Sequence, residues 1–119
     1  MRAMQVTRVY TGADGVSHFG AIDFPLADAG PIGRLSGVMP ATGVVFRETA
    51  ADYDFDWHPA PRRQLVVLLD GAIEIEVGDG ERRRFVGGDI VLVEDTAGRG
   101  HRTRTVDGRP RRSLFIALE

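Results

Sequence analysis

The feature of this sequence that most restricts its fold is the regular recurrence of turn-forming residues between short β-branched or apolar segments. Turn-forming positions occur at Gly12, Asp14-Gly15, Asp28-Ala29-Gly30-Pro31, Met39-Pro40, Asp70-Gly71, Gly78-Asp79-Gly80, Gly87-Gly88 and Asp107-Gly108. No segment combines a sustained helical period with capping residues at its ends. This pattern predicts an all-β, antiparallel fold. Because open sheet edges promote association, many short strands in a chain of 119 residues must close into a barrel or a sandwich.

The clearest strand pattern lies in the middle of the chain. The apolar segment Gln64–Leu69 is followed by Asp70-Gly71 and by Ala72–Val77, in which isoleucine and valine alternate with glutamate. Alternation with a period of two is typical of a half-buried strand, and Asp-Gly favours a tight hairpin turn. The sequence therefore predicts a hairpin over residues 64–77. The continuous apolar run Ile90–Val93 predicts a strand that is covered on both faces.

Length and composition indicate one ordinary globular domain. The chain has a mass of 13.0 kDa, with 43% apolar and 27% charged residues, so residues 1–119 are expected to form a single domain. No apolar run approaches the roughly 18 residues that span a bilayer, and Met1–Tyr10 lacks the apolar centre of a signal peptide. We therefore expect a cytoplasmic protein that does not insert into a membrane.

Charge and residue usage exclude several classes of function. The formal net charge is −2, and basic and acidic residues are mixed along the chain, which disfavours nucleic acid and anionic membranes as partners. All 15 basic residues are arginine, so lysine-based catalysis is excluded. The chain has no cysteine, which excludes disulfides and thiolate metal sites. Gly98-Arg99-Gly100 lacks the spacing of a phosphate-binding loop, and no nucleotide or flavin cofactor is expected.

Two clusters of residues carry the sequence's strongest functional signal. In the first, His58 precedes Ala60 and Gln64, and six residues separate Gln64 from Gly71. In the second, Gly88-Asp89 leads through an apolar strand to His101. These spacings resemble the two sequence motifs of the cupin superfamily. The sequence of residues 94–103 is also similar to that of a group of small bacterial single-domain cupins.

The resemblance covers residues 52–118 and implies a fold. That fold is an antiparallel cupin-type β-barrel, also called a jelly roll or double-stranded β-helix. Residues 1–40 would then supply N-terminal strands and loops that cover the barrel. Small cupins commonly pair through N-terminal strands, so the resemblance also implies a homodimer, and Met4–Tyr10 is apolar at alternate positions.

The resemblance also implies a candidate metal site, but an incomplete one. Cupins usually hold a divalent metal with three histidines and one glutamate, whereas this chain offers His58, Gln64 and His101 and has Ala60 in place of a histidine. A divalent transition metal such as Zn, Fe, Mn or Ni would be held weakly, and a site without metal is the alternative. His18 or a carboxylate upstream of His58 would be needed to complete the set. These carboxylates are Glu48, Asp52, Asp54 and Asp56.

The same residues suggest acid–base chemistry. Imidazole titrates near neutral pH, so His58 and His101 are candidate proton-transfer groups. Arg62 lies on the same side as His58 if this segment is extended, and it could grip a carboxylate or enolate; Glu48 is a further candidate for moving a proton. We expect the partner to be a small oxygen-rich or carboxylated metabolite. Whether the chain is an enzyme, with or without metal, or a non-catalytic binding or sensing module stays open at this point.

Overall fold

The computed structural model describes residues 2–119, and these residues form an all-β structure. The strands are β1 (Arg2–Thr11), β2 (Ser17–Asp28), β3 (Arg34–Leu35), β4 (Ala41–Thr49), β5 (Asp54–His58), β6 (Gln64–Leu68), β7 (Ala72–Glu76), β8 (Arg82–Val86), β9 (Ile90–Glu94), β10 (His101–Thr105) and β11 (Arg111–Leu118). A single 3-10 turn, Gly30–Ile32, is the only helical element in this part of the chain. No helix within residues 2–119 is long and apolar enough to cross a membrane.

The strands form two sheets that face each other. The larger sheet has the order β3-β2-β1-β9-β6-β11-β4, and the smaller has the order β5-β10-β7-β8. This arrangement confirms the predicted all-β, cupin-type jelly roll, although the two sheets do not close into one continuous barrel. Neighbouring strands are antiparallel with one exception, the parallel pair formed by β1 and β9.

The predicted hairpin over residues 64–77 is wrong. Strand β6 pairs with β9 and β11 in the larger sheet, whereas β7 pairs with β8 and β10 in the smaller one. The chain crosses from one sheet to the other at Asp70-Gly71, where Gly71 has a φ of +77°. A glycine with positive φ suits a crossing between sheets as well as a hairpin turn. The local sequence therefore does not distinguish a hairpin from a crossing.

The core lies on both faces of the larger sheet. Between the sheets, the main cluster includes Val9, Phe19, Leu68, Ile75 and Val91. On the outer face, Leu92 is fully buried with Val6 and Leu118, beneath Met39. Burial of Val91, Leu92 and Val93 in succession confirms the prediction that this strand is covered on both faces.

The N-terminal hairpin extends the larger sheet. Strand β1 pairs with β2 along its whole length, from Arg2 opposite Leu26 to Thr11 opposite Ser17. Strand β1 then joins β9 on its other side. Because Val9 and Phe19 lie in the inner core, these two strands form one wall of the space between the sheets.

Candidate functional site

A cavity of about 390 Å³ lies between the two sheets. Its floor is apolar and includes Val66, Leu68, Ile75 and Val93, while His58, Gln64 and His101 lie together on its lining. Volumes of this size are typical of small-molecule sites, in which apolar walls surround a few polar groups. The structure thus brings the three residues of the predicted metal motif to one cavity.

The two histidines are neighbours on paired strands. Strands β5 and β10 run antiparallel, and His58 lies opposite His101 in their register. The ring centroids are 4.6 Å apart, and the ring planes are inclined by 57°. A bulge between His101 and Thr103 ends the regular ladder at this point. Such bulges often redirect a side chain beside an active site.

The hydrogen bonding of His58 fixes which ring nitrogen is free. Its Nδ1 lies 2.7 Å from the carbonyl oxygen of Asp56, and because a carbonyl only accepts, Nδ1 must carry the proton. The Nε2 atom of a neutral His58 therefore keeps its lone pair. Burial lowers the pKa of His58 below its ordinary value of 6.5, and the nearby His101 and Arg47 act in the same direction. His58 is consequently suited to accept a proton at neutral pH.

His101 is held by a carboxylate that the sequence analysis did not identify. Asp95 Oδ2 lies 2.7 Å from His101 Nδ1, and the side chain of Asp95 is fully buried. A carboxylate oriented in this way holds the imidazole with Nδ1 protonated and compensates the positive charge that forms when Nε2 accepts a proton. The only sequence signal for Asp95 is its position between the buried strand β9 and His101, a place that also suits an ordinary turn residue.

Gly100 allows the loop before His101 to pass close to His58. It has a φ of +79°, and a Cβ atom at this position would overlap the carbonyl oxygen of His58. A hydrogen bond from β2 also holds this loop, because the Ser17 hydroxyl donates to the carbonyl oxygen of Gly100 at 2.7 Å. The Ala60 amide donates to the carbonyl oxygen of Asp95 at 3.0 Å and joins the two histidine-bearing segments.

The remaining predicted site residues lie in different places. Arg62 lines the cavity at its exposed mouth, on the same side as His58. Glu48 does not line it, which corrects the expectation of a catalytic role. Alternate residues of β4 face opposite sides, so Val45 and Arg47 face the cavity and Glu48 is exposed on the other face.

Neither His18 nor the acidic residues before His58 complete the site. The imidazole of His18 lies between Asp14, at 2.8 Å, and Asp79, at 2.9 Å. Asp54 is exposed and pairs with Arg102. Asp52 and Asp56 are also exposed, and none of the three aspartates lines the cavity.

Further residues of the cavity lining were missed by the sequence analysis. Arg47 on β4 and Arg111 on β11 both line the cavity, where their guanidinium carbons lie 5.3 and 4.8 Å from the centroid of the Tyr53 ring. Ser113, two residues after Arg111 on the same strand, lines it too. Arg111 lies on the inner face of β11 and Arg112 on the outer face. Because both are arginines, the sequence does not indicate which of the two faces the cavity.

The donor set does not fit the metal site that the cupin resemblance implies. Ala60 offers no donor atom, and Gln64 offers only a neutral amide. Within residues 2–119, no group of three or more histidine and carboxylate side chains is placed to hold one ion. The cavity lining includes the arginines Arg47, Arg62 and Arg111 and no carboxylate from this part of the chain. A concentration of positive charge favours an anion over a metal cation.

Comparison with known proteins supports the fold. No protein-family model matches the sequence, and no curated protein matches it. Among solved structures, the cupin domain of Cnp3 from Schizosaccharomyces pombe is similar over 100% of this chain and 86% of its own, with 12% identity and a TM-score of 0.53. Protein NMB1881 from Neisseria meningitidis is similar over 64% of this chain and 72% of its own, with 18% identity and a TM-score of 0.51.

Proposed function

The chain has the cupin fold, and from that premise we propose that it binds a small oxygen-rich or carboxylated metabolite and transfers a proton with His58 and His101. Because one fold hosts many functions, the proposal rests on the site. The observation that carries it is the pair of neighbouring imidazoles, one of them bonded to a buried carboxylate, on the lining of an otherwise mainly apolar cavity.

The site favours removal of a proton from carbon beside a carbonyl. One imidazole accepts the proton at Nε2 while the C–H electron pair forms a carbon–carbon double bond and the carbonyl π pair moves to oxygen, which gives an enolate. Return of a solvent-derived proton from the imidazolium to the same carbon restores the carbonyl and completes the exchange. The Asp95 carboxylate stabilises an imidazolium at His101, and Arg62 at the cavity mouth is placed to attract an anionic substrate. No step requires an oxidant or a metal.

Deuterium exchange tests this proposal without knowledge of the natural substrate. Pyruvate, 2-oxobutyrate and phenylpyruvate are incubated with the protein in D₂O, and proton NMR follows loss of the signal beside the carbonyl. We expect exchange above the buffer rate, reduced about a hundredfold or more in His58→Gln and His101→Gln, because general acid–base catalysis typically contributes that much.

His18→Gln is the matched control, because His18 lies outside the cavity. It should exchange at the wild-type rate. Equal rates in all three histidine variants would contradict the proposal.

A binding or sensing module is the second candidate function. It is favoured by Ala60 and Gln64, which leave the usual metal motif incomplete. Saturable binding of these carboxylates with exchange at the buffer rate would support the module and exclude the enzyme.

We also propose that the chain pairs as a homodimer through its N-terminal strands. Met4 on β1 is 51% exposed although it is a large apolar side chain, and burial against a second copy would remove it from water. Light scattering at micromolar concentration should give twice the chain mass, and Met4→Glu should shift the protein toward the monomer. A wild-type monomer would overturn this proposal.

A further inference from the structure

Two arginines on one wall of the cavity form no ion pair with a carboxylate of residues 2–119. Within residues 2–119, neither Arg47 nor Arg111 has a carboxylate within 4.0 Å, whereas Arg112, the outward neighbour of Arg111, pairs with Asp70 at 2.8 Å. Arg111 is only 6% exposed. Its one side-chain hydrogen bond within this part of the chain is from Nη1 to the hydroxyl of Thr105, at 2.8 Å.

This arrangement is unfavourable in the absence of a ligand. A buried charge loses the solvation that water provides unless an opposite charge and hydrogen bonds compensate it. Burial lowers the pKa of Arg111 and the neighbouring Arg47 acts in the same direction, whereas Tyr53 and Asp107 oppose the shift. The aromatic ring of Tyr53 contacts both guanidinium groups and offsets only part of the cost. An anion would supply the opposite charge.

Ser113 is the independent observation that points to a ligand. Its side chain is 2% exposed, and its hydroxyl has no hydrogen-bond partner among the described residues. In the sheet register Ser113 lies opposite Arg47 and is two residues from Arg111 on the same face of β11. One hydroxyl donor and two guanidinium groups therefore lie on the same wall.

We propose that Arg47, Arg111 and Ser113 form a subsite for the carboxylate of a small, mostly apolar metabolite. Guanidinium groups bind planar carboxylates through paired N–H donors, and the apolar cavity floor accommodates the rest of the molecule. The inference deepens the proposed function and rests on it for the reacting end, where His58 and His101 would exchange the proton on the carbon beside the carbonyl. Guanidinium groups also bind phosphate, so a phosphate ester is the competing class of ligand.

Binding of benzoate tests the subsite directly. Isothermal titration calorimetry compares benzoate with benzyl alcohol, which is neutral, and with phenyl phosphate, which carries a phosphate group in place of the carboxylate. We expect benzoate to bind the wild-type protein with a dissociation constant on the order of 1 mM. Arg47→Met and Arg111→Met should each weaken binding by about tenfold or more, and benzyl alcohol should bind much more weakly.

Arg112→Met is the matched control, since it removes an arginine from the same strand on the opposite face. It should leave benzoate binding unchanged. Thermal unfolding of each variant without ligand is measured in parallel, and we expect Arg111→Met to be at least as stable as the wild type because it removes an uncompensated buried charge. A large loss of stability in that variant would show that Arg111 is needed for folding. The effect of Arg47→Met on benzoate affinity would then be the test of the subsite.

The outcomes separate this inference from the proposed proton transfer. Arginine-dependent binding without deuterium exchange would support the subsite and refute the chemistry. Equal binding of benzyl alcohol and benzoate, or tighter binding of phenyl phosphate, would overturn the carboxylate subsite.

Discussion

Asp95 Oδ2 and His101 Nδ1 lie 2.7 Å apart, in a pair whose side chains are almost completely removed from solvent. Asp95 does not line the cavity, so it acts on a ligand only through His101. Its other oxygen, Oδ1, has no hydrogen-bond partner among residues 2–119. The carboxylate is therefore placed to orient one imidazole rather than to contact a ligand.

Asp95→Asn should separate this positioning role from ligand binding. The amide preserves the shape and can still accept a hydrogen bond from Nδ1, but it removes the negative charge. We expect the deuterium-exchange rate to fall about tenfold to a hundredfold, while benzoate affinity measured by calorimetry stays the same. Asp54→Asn, which alters an exposed carboxylate, is the control. A parallel loss of benzoate affinity would indicate a general disturbance of the cavity instead.

His58 should make the protein less stable in acid. Burial lowers its pKa in the folded chain below 6.5, so as the pH falls the unfolded chain takes up the proton first. The unfolding free energy therefore decreases below about pH 6.5 until the folded-state pKa is passed. Urea denaturation at about pH 7.5 and pH 5.5 should show a smaller decrease in His58→Gln than in the wild type. An identical decrease would argue against this assignment.

His18 should have the opposite pH dependence. The hydrogen bond to Asp14, followed by that to Asp79, raises its pKa above 6.5 in the folded chain. Its stabilising contribution is therefore fully present below about pH 6.5 and disappears as the pH rises through the folded-state pKa. In urea denaturation, His18→Gln should be less stable than the wild type at acidic pH and similar to it at alkaline pH. A deficit that stays constant with pH would exclude titration of His18 as its cause.

Gly100→Ala should disturb the histidine pair more than an alanine at another left-handed glycine. Gly108 has a φ of +66° with open space around a Cβ atom, so Gly108→Ala should cost only about 1–2 kcal/mol of backbone strain. At Gly100 the methyl group would also collide with the carbonyl oxygen of His58. Urea unfolding should therefore show a larger loss, with displaced imidazole NMR signals. Equal losses in the two variants would show that the close approach is unimportant.

Removal of metal should leave ligand binding unchanged. The cavity places Arg47, Arg62 and Arg111 around two histidines and a neutral amide, a set that disfavours a divalent cation. We expect the same benzoate affinity before and after dialysis against EDTA, with elemental analysis of untagged protein as the accompanying measurement. A loss of affinity that is restored by Zn²⁺, Mn²⁺, Ni²⁺ or Fe²⁺ would contradict this prediction.

The strands were predictable because they depend on local signals, whereas the expectation that His58, Gln64 and His101 share one cavity came from the resemblance to the cupin motifs. Alternating apolar residues define a strand, and motif spacing defines positions within a jelly roll. The crossing at Asp70-Gly71 was not predictable in this way. Whether a strand pairs with its neighbour in sequence or passes to the opposite sheet is decided by contacts with β9, β10 and β11, which are distant in sequence.

The missed site residues have a related explanation. Arg47 and Glu48 are adjacent charged residues on one strand, and only the register with β11 decides which of them faces the cavity. Arg111 and Arg112 present the same ambiguity. Asp95 lies in a segment whose composition indicates a turn, so its burial depends on how the loop folds back over His101. In each case, contacts between segments that are distant in sequence determine where the side chain lies.

Strand β4 forms an edge of the larger sheet, hydrogen-bonded to β11 alone, and it carries Arg47. A carboxylate shared by Arg47 and Arg111 would therefore be a noncovalent crosslink between this edge strand and the interior of the sheet. Edge strands open at lower free-energy cost than central ones, and their free backbone groups invite association with other chains. Filling the cavity would thus slow amide hydrogen exchange over residues 41–49 and protect the exposed edge from aggregation, so that the ligand contributes to the cooperativity of the fold.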